Sequence, residues 1–378
     1  MKILHIIDSA GLYGAEIMLL TLMDEQRKMN LTPVLLSTNE FEISKSAIEA
    51  ESAKRGFQTV KIPTKQGYSL TGALNIARFA HENGASLFHS HGYKINILLG
   101  SLPKFIRKKP VVTTLHGWIS VKRFSRMWLY EAVDNLALHR LDAVVRVTSS
   151  RRDGEDIPSN DKINTYTVNN GIPELAFDSA YIKQSDSVVS DFCKDGFIIG
   201  TICRLSAEKG LDYLVDAVRL LFSHKENYKA IIIGEGPQKD ALQTKINRSG
   251  LADRILLTGY RNQAFRYLPL FNVFVLPSLT EGLPITVLEA MQAKVPIVAT
   301  QVGGIPAVLG HGKFGSIVKP GNAAALAEAI SFVLSNRIQI DAMCNDARNV
   351  ALEKYSSRRM AENYLKIYET VLRKWRND

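Results

Sequence analysis

Glu281-Gly282-Leu283-Pro284-Ile285-Thr286-Val287-Leu288-Glu289 sets two carboxylates eight positions apart around a glycine and a proline. Pro284 suits the first turn of a helix, where its missing N–H has no intrahelical partner to lose. Ile285, Leu288 and Met291 then share one apolar face, so 284–294 reads as a helix. Glu281 precedes that helix and Glu289 lies in its second turn. Free N–H groups at a helix start attract anions, and ionised carboxylates accept hydrogen bonds from hydroxyls. A ligand carrying phosphate and several hydroxyls, such as a sugar nucleotide, fits both features. The bare spacing fits an ordinary amphipathic helix with a solvated Glu289 equally well. Val273-Phe-Val-Leu-Pro-Ser278, just upstream, reads as a buried strand ending in a loop. That places the carboxylates at the carboxyl end of a parallel strand, where open α/β sheets bind ligands.

Working outward, short strand-like runs alternate with helical patterns, which indicates parallel sheets. In the first half the runs are Ile3–Ile7, Pro33–Ser37, Thr59–Ile62, Leu87–Ser90, Val111–Leu115, Ala143–Val147 and Thr165–Val168, with helices such as Ala15–Met29, Leu70–Glu82 and Val121–His139. The pattern weakens from Pro173 to Asp195 and restarts with Phe197–Thr201, Ala230–Ile233, Ile255–Leu257, Val273–Leu276, Ile297–Ala299 and Ser316–Val318. Two long helices, Ile338–Lys354 and Ser357–Lys374, close the chain. The expected division is a first domain over 1–175, a linker over 176–195 and a second domain over 196–356, with 357–378 returning to the first.

The 378 residues, 46% apolar and 22% charged, suit a globular enzyme of two domains. No apolar run reaches the ~18 residues of a membrane span. The N-terminus enters a strand at once, so no signal peptide is expected and the location reads as cytoplasmic. Cys193, Cys203 and Cys344 are widely spaced and read as reduced thiols. The net charge of +10 is uneven: between Glu82 and Glu131 stand eight Lys or Arg and no acid. They are Lys94, Lys104, Arg107, Lys108, Lys109, Lys122, Arg123 and Arg126, with Trp118, Phe124, Met127 and Trp128 among or beside them. Such a surface suits an anionic membrane, as a peripheral contact. A solvated face explains the same bias. No nucleic-acid-binding motif is present.

Other segments carry candidate chemistry. Gly11-Leu-Tyr-Gly-Ala-Glu16 follows the first strand and opens a helix, with Gly14 allowing close approach of a phosphate; a simple tight turn is the alternative. Arg204-Leu-Ser-Ala-Glu-Lys209-Gly210 follows the restart strand and can meet a diphosphate, Arg204 as a planar fork and Lys209 as a point charge. His116, ending the strand Val111–Leu115, can bond a sugar hydroxyl, and His91 stands in a similar position. His5, His81, His139, His224 and His311 read as isolated structural histidines. The turns Ile233-Gly-Glu-Gly-Pro237 and Leu257-Thr-Gly-Tyr-Arg261 let backbone approach a planar base, Gly259 to Arg261 being the better candidate. Turn formation accounts for the same glycines. Neither a D-x-D nor metal-ligand spacing occurs, so no metal is expected.

Together these segments resemble the retaining GT-B glycosyltransferases of family 4, nearly end to end. The resemblance implies two Rossmann-like doubly wound domains facing a central cleft. It implies that Glu281 contacts the transferred sugar, Glu289 the ribose, and Gly282, Leu283 and Pro284 the sugar and phosphates. Arg204 and Lys209 match the basic pair on the diphosphate, His116 the histidine beside the donor sugar, and Gly259, Tyr260 and Arg261 the base-binding turn. Gly303-Gly304 also matches. One departure stands in the N-terminal loop, where Tyr13 occupies the place of a second glycine before Gly14-Ala15-Glu16.

The activity implied is transfer of a hexosyl or N-acetylhexosaminyl group from a nucleotide-sugar, a UDP-sugar first and GDP-mannose next. The acceptor is a glycan or lipid-linked acceptor of bacterial surface polysaccharide or glycolipid synthesis. No cofactor is implied, and the basic pair carries the charge that Mg²⁺ carries elsewhere. A GT-B-fold epimerase or a non-catalytic sugar-nucleotide-binding protein are the competing readings; a phosphorylase lacks support, since no cofactor-lysine element is present.

Overall fold

The computed structural model describes all residues except 10, 13, 39–45, 66, 117–125, 148–163, 179–185, 223–226 and 378. The chain forms two compact units. The first comprises Met1–Ser149, Ile157–Gly171 and Ser357–Asp378; the second comprises Ser150–Asp156 and Ile172–Ser356.

The first unit is built on β1 (Lys2–Ile7), β2 (Thr32–Ser37), β3 (Gln58–Lys61), β4 (Leu87–His91), β5 (Val111–Leu115), β6 (Ala143–Arg146) and β7 (Thr165–Thr167). All pairings are parallel, in the order β3-β2-β1-β4-β5-β6-β7. Most of these strands are apolar on both faces, as strands covered by helices on both sides must be. Leu4, Ile6, Phe88, Val111 and Val144 pack with Ile76, Leu98 and Leu99 on one side. Ile7 and Leu35 pack with Leu19, Leu20 and Met23 of the helix Gly14–Lys28 on the other. The final helix, Ser357–Asn377, buries Met360, Ala361, Tyr364, Ile367, Tyr368 and Val371. That spacing is the i, i+3/i+4 stripe of an amphipathic helix. Ser357 donates to Glu25 Oε1 at 3.0 Å, so the chain's last helix is a piece of the first unit.

The second unit is built on β8 (Phe197–Ile202), β9 (Tyr228–Ile233), β10 (Ile255–Gly259), β11 (Val273–Leu276), β12 (Ile297–Thr300) and β13 (Ser316–Val318). These are also parallel, in the order β10-β9-β8-β11-β12-β13. Strand ends differ from the expected ones by two residues at most. The stretch read as a linker is partly structured: Ser187–Phe192 is helical, and Asp186 Oδ1 caps it by accepting from Val189 N at 3.2 Å. A short polar segment gives weak periodicity, but a good N-cap is enough to start one helical turn on a packed surface.

In each unit the connections reverse direction at one place in the sheet, between β1 and β4 and between β8 and β11. Ligands of doubly wound sheets bind outside the carboxyl ends of the strands at such a switch point.

Candidate functional site

At the second unit's switch point the loop after β8 meets the loop after β11. Ala207–Lys209 makes one 3₁₀ turn, ended by Gly210 in the left-handed region at φ 61°. A Cβ on Gly210 would stand 2.3 Å from the Pro277 carbonyl oxygen, so only glycine lets the turn press so closely on the other loop. Leu279 N donates to Glu208 O at 2.7 Å across the same contact. Lys209 Nζ is thereby placed 2.6 Å from Glu281 Oε1, and Ser278 Oγ donates to that oxygen at 2.7 Å. From the far side Gly303, at φ 53°, would bring a Cβ within 2.1 Å of the Glu281 carbonyl, and Gly304 N donates to Gly282 O at 2.7 Å.

The pair is largely enclosed, with side-chain exposure of 19% for Lys209 and 8% for Glu281. Burial alone pulls the Lys209 ammonium down, but the charge and hydrogen bond of Glu281 outweigh it and raise it above the ordinary lysine value. Cys203, beside them, is pushed up to about 12 by burial and is an inert thiol. Arg204 is exposed at the start of the same loop.

The helix begins at Ile285, with Pro284 as its N-cap at φ −71° and ψ 125°, one place earlier than its expected position in the first turn. It is not amphipathic. Ile285, Val287, Leu288, Ala290, Met291 and Gln292 are all buried, and only Thr286 and Glu289 keep part of their surface. Burying each large apolar side chain contributes about 1.5–3 kcal/mol, so the helix is held rigidly. Glu289 is therefore no solvated surface carboxylate: burial pushes it up to about 7. Leu283 is buried and Gly282 half-buried between the two acids.

The base-turn candidates are differently engaged. Gly259 ends β10 at φ 75°, and Tyr260 is 57% exposed. Arg261 donates through Nε to Asp186 Oδ2 at 2.8 Å and through Nη1 to Thr258 O at 2.6 Å. Tyr267 Oη also donates to Asp186 Oδ2, at 2.9 Å. The Arg261 guanidinium thus ties the cap of Ser187–Phe192 to the β10 turn.

In the first unit Gly14 opens its helix, exposed, with nothing within 4 Å of where a Cβ would stand. Glu16 is buried and accepts from Ser9 Oγ. Tyr13, the departure from the family pattern, lies outside the described residues. His116 follows β5 at the carboxyl end of the sheet, one strand away from the switch point, and is not isolated. His91 Nδ1 lies 3.1 Å from His116 Nε2, His5 Nδ1 lies 3.1 Å from His91 Nε2, and Gln26 Oε1 lies 2.8 Å from His5 Nε2. Alongside, His89 Nδ1 lies 2.7 Å from Tyr368 Oη, and His89 Nε2 lies 2.8 Å from Thr114 Oγ1.

His5 is structural, as expected, but not isolated: His5, His89 and His91 bring ligand-capable nitrogens within 4.8 Å of one another. Every nitrogen of these three rings has a hydrogen-bond partner, and the geometry is that of a hydrogen-bonded network. The signal available was His89-x-His91, with His89 on the expected strand Leu87–Ser90 and His91 just beyond it; the strand runs on to His91, and alternate residues share a face. His5 carried none, because its pairing with His89 depends on strand order.

The basic stretch is also divided. Arg107 is 1% exposed, bonded to Asp142 Oδ2 at 2.6 Å, which excludes it from any surface contact. Lys94 pairs with Asp8 at 3.1 Å. Lys122, Arg123, Trp118 and Phe124 fall outside the described residues; for Arg126, Met127 and Trp128 only the helix backbone, Arg126–Leu138, is described. Phe105 is 76% exposed beside Lys104 and Lys108. A groove of about 540 Å³ opens nearby, lined by apolar Ile97, Leu98, Val133 and Leu136 with Tyr68, Lys94 and Arg140.

Comparison with known proteins agrees with this architecture. Residues 183–350 match the family described as "Glycosyl transferases group 1", and residues 13–155 match "Glycosyltransferase Family 4". The alpha-D-kanosaminyltransferase of Streptomyces kanamyceticus is 30% identical over 176 residues, 46% of either chain, so this chain spans about half the length of that relative. The capsular polysaccharide biosynthesis glycosyltransferase CapM of Staphylococcus aureus is 25% identical over 73% of this chain and 74% of its own. The crystal structure of Anabaena HepE in complex with UDP and glucose superposes with a TM-score of 0.82 at 22% identity, covering 98% of this chain and 100% of that one. With one family model matched in each half and a fold shared nearly end to end, the chain belongs to the glycosyltransferases of group 1, family 4, and its fold is GT-B.

Proposed function

We propose that this protein is a retaining glycosyltransferase that moves a sugar from a nucleotide-sugar to a lipid-linked or glycan acceptor in bacterial surface polysaccharide or glycolipid synthesis. The observation that carries this is the Lys209–Glu281 pair at the second unit's switch point, on loops whose close approach requires Gly210 and Gly303. Lys209 and Arg204 offset the charge that grows on the leaving diphosphate. Glu281 and Glu289 accept from sugar and ribose hydroxyls, and a bound hydroxyl donor favours the charged form of Glu289, which burial otherwise disfavours. In transfer with retention the donor C1–O bond to the diphosphate breaks as the acceptor oxygen bonds C1 on the same face. The acceptor proton passes to the departing phosphate oxygen, so no separate protein base is needed.

A UDP-sugar is the first donor to test, and the HepE structure, solved with UDP and glucose, supports that choice. The apolar groove with Lys94 and Arg140 at its polar positions supports an acceptor with an alkyl chain and an anionic head. Transfer from a UDP-sugar panel to polyprenyl-phosphate-linked acceptors is expected to proceed, and to persist after thorough EDTA treatment. Loss of activity restored by Mg²⁺ or Mn²⁺ refutes the metal-free scheme, and a product formed without acceptor favours the epimerase reading.

We further propose that the protein works at an anionic membrane surface, with Phe105, Lys108 and Lys109 as contacts. Sedimentation with anionic vesicles is expected to exceed that with neutral ones and to fall as salt shortens the Debye length. Replacing Lys108 and Lys109 by Gln and Phe105 by Ser removes it; equal recovery on both vesicle types refutes the contact.

A further inference from the structure

Gln26, His5, His91 and His116 form one unbranched line of hydrogen bonds, 2.8, 3.1 and 3.1 Å long. Burial holds these imidazoles neutral near pH 7: it lowers His5 and His116 to about 4 and His91 well below its ordinary value. A neutral imidazole has one N–H and one bare nitrogen, so the role of the first atom in the line dictates every later one. Gln26 Nε2 donates to Tyr368 Oη at 3.2 Å, which turns Gln26 Oε1 toward His5.

That oxygen only accepts. His5 Nε2 therefore carries the proton, and His5 Nδ1 is bare. His91 Nε2–H donates to it, leaving His91 Nδ1 bare to accept from His116 Nε2–H. The line ends at His116 Nδ1, a lone pair with no hydrogen-bond partner among the described residues and shielded from solvent.

The second arm starts from the same amide. Tyr368 Oη, having accepted from Gln26, donates to His89 Nδ1, and His89 Nε2–H donates to Thr114 Oγ1. All four buried histidines are thus Nε2–H tautomers, and turning the one amide over would reverse both arms.

We propose that Gln26, His5 and His91 are positioning residues that lock His116 as the Nε2–H tautomer and present His116 Nδ1 as an acceptor for a hydroxyl of the donor sugar. The ligand half rests on the donor-binding reading above; the tautomer half does not. An unmade bond at a buried acceptor is costly, so the line would discriminate against a sugar lacking that hydroxyl.

The test is long-range ¹H–¹⁵N spectroscopy of the full chain labelled at histidine, near neutral pH, with signals assigned by His116→Asn. Bare Nδ1 and protonated Nε2 are expected at all four buried rings without ligand. Protonated Nδ1 at His116 overturns the proposal. Gln26→Met, close in size and without a polar end, is expected to give His116 mixed tautomers and raise the donor KM about tenfold, the worth of one hydrogen bond; unmoved His116 signals overturn the role of Gln26. UDP-glucose as probe, but not UDP, is expected to shift His116 Nδ1 toward a hydrogen-bonded value. With the tautomers as stated, a His116 that ignores UDP-glucose refutes its donor contact. Reversed tautomers refute the line even if UDP-glucose binds.

Discussion

Lys209→Ala is expected to lower turnover about 10²–10³-fold, the usual loss when a group stabilising transition-state charge is removed. It also strands Glu281, whose side chain is 8% exposed and whose Oε1 lies 2.6 Å from the lost ammonium. Breaking a buried pair in this way costs about 3–5 kcal/mol, and the residual exposure of Lys209 places this one at the low end. The two effects separate in a second variant. Lys209→Met with Glu281→Leu removes both charges and is expected to recover most of the stability, because no buried charge is left unpaired. Turnover stays low, since Arg204 alone then faces the leaving diphosphate and the Glu281 contact to the sugar is lost. Chemical denaturation read beside single-turnover kinetics distinguishes them, and unchanged single-turnover rates in Lys209→Ala refute the leaving-group role.

Acidification from pH 7 to 5 is expected to weaken the first unit and strengthen part of the second. His5 and His116 have folded values near 4 against 6.5 unfolded, lowered by burial. The unfolded chain thus binds more protons between those values. Their contribution is whole above pH 6.5 and is lost as pH falls toward 4, about 3 kcal/mol for His5 alone. Glu289 has the opposite sign. Its folded value near 7 lies above 4.5 unfolded, again through burial, so the native state binds more protons and stability falls as pH rises from 4.5 to 7. Hydrogen exchange resolves the two units. Protection of β4 and β5 is expected to fall at pH 5 while that of Ile285–Gln292 rises, and a parallel change in both would count against these assignments. Glu289→Gln should abolish the second trend alone.

Much of this was legible in the sequence because it is periodic or local. Val111–Leu115, Val273–Leu276 and Ser316–Val318 are strands with the bounds their apolar runs predict. The acids of the E-x7-E segment stand where helix geometry puts them, one before the helix and one in its second turn. Arg107 and the linker show the limit of composition. A run of cations reads as surface until Asp142, 35 residues away, is folded against one of them, and a polar stretch reads as unstructured until Asp186 caps it.

By itself, then, the sequence determined the element order, the parallel class of both sheets and the loops that carry Glu281, Lys209 and His116, since each follows from propensity and spacing along the chain. Strand order across the sheets was decided by tertiary structure alone. It put β4 beside β1 and β11 beside β8, so residues 86 apart became His5 and His91 at 3.1 Å, and residues 72 apart became Lys209 and Glu281 at 2.6 Å. The returning helix Ser357–Asn377 brought Tyr368 to Gln26. Desolvation at these contacts moves His5, His116 and Glu289 from their ordinary pKa values, and it depends on what packs around a group in three dimensions, which no local pattern records.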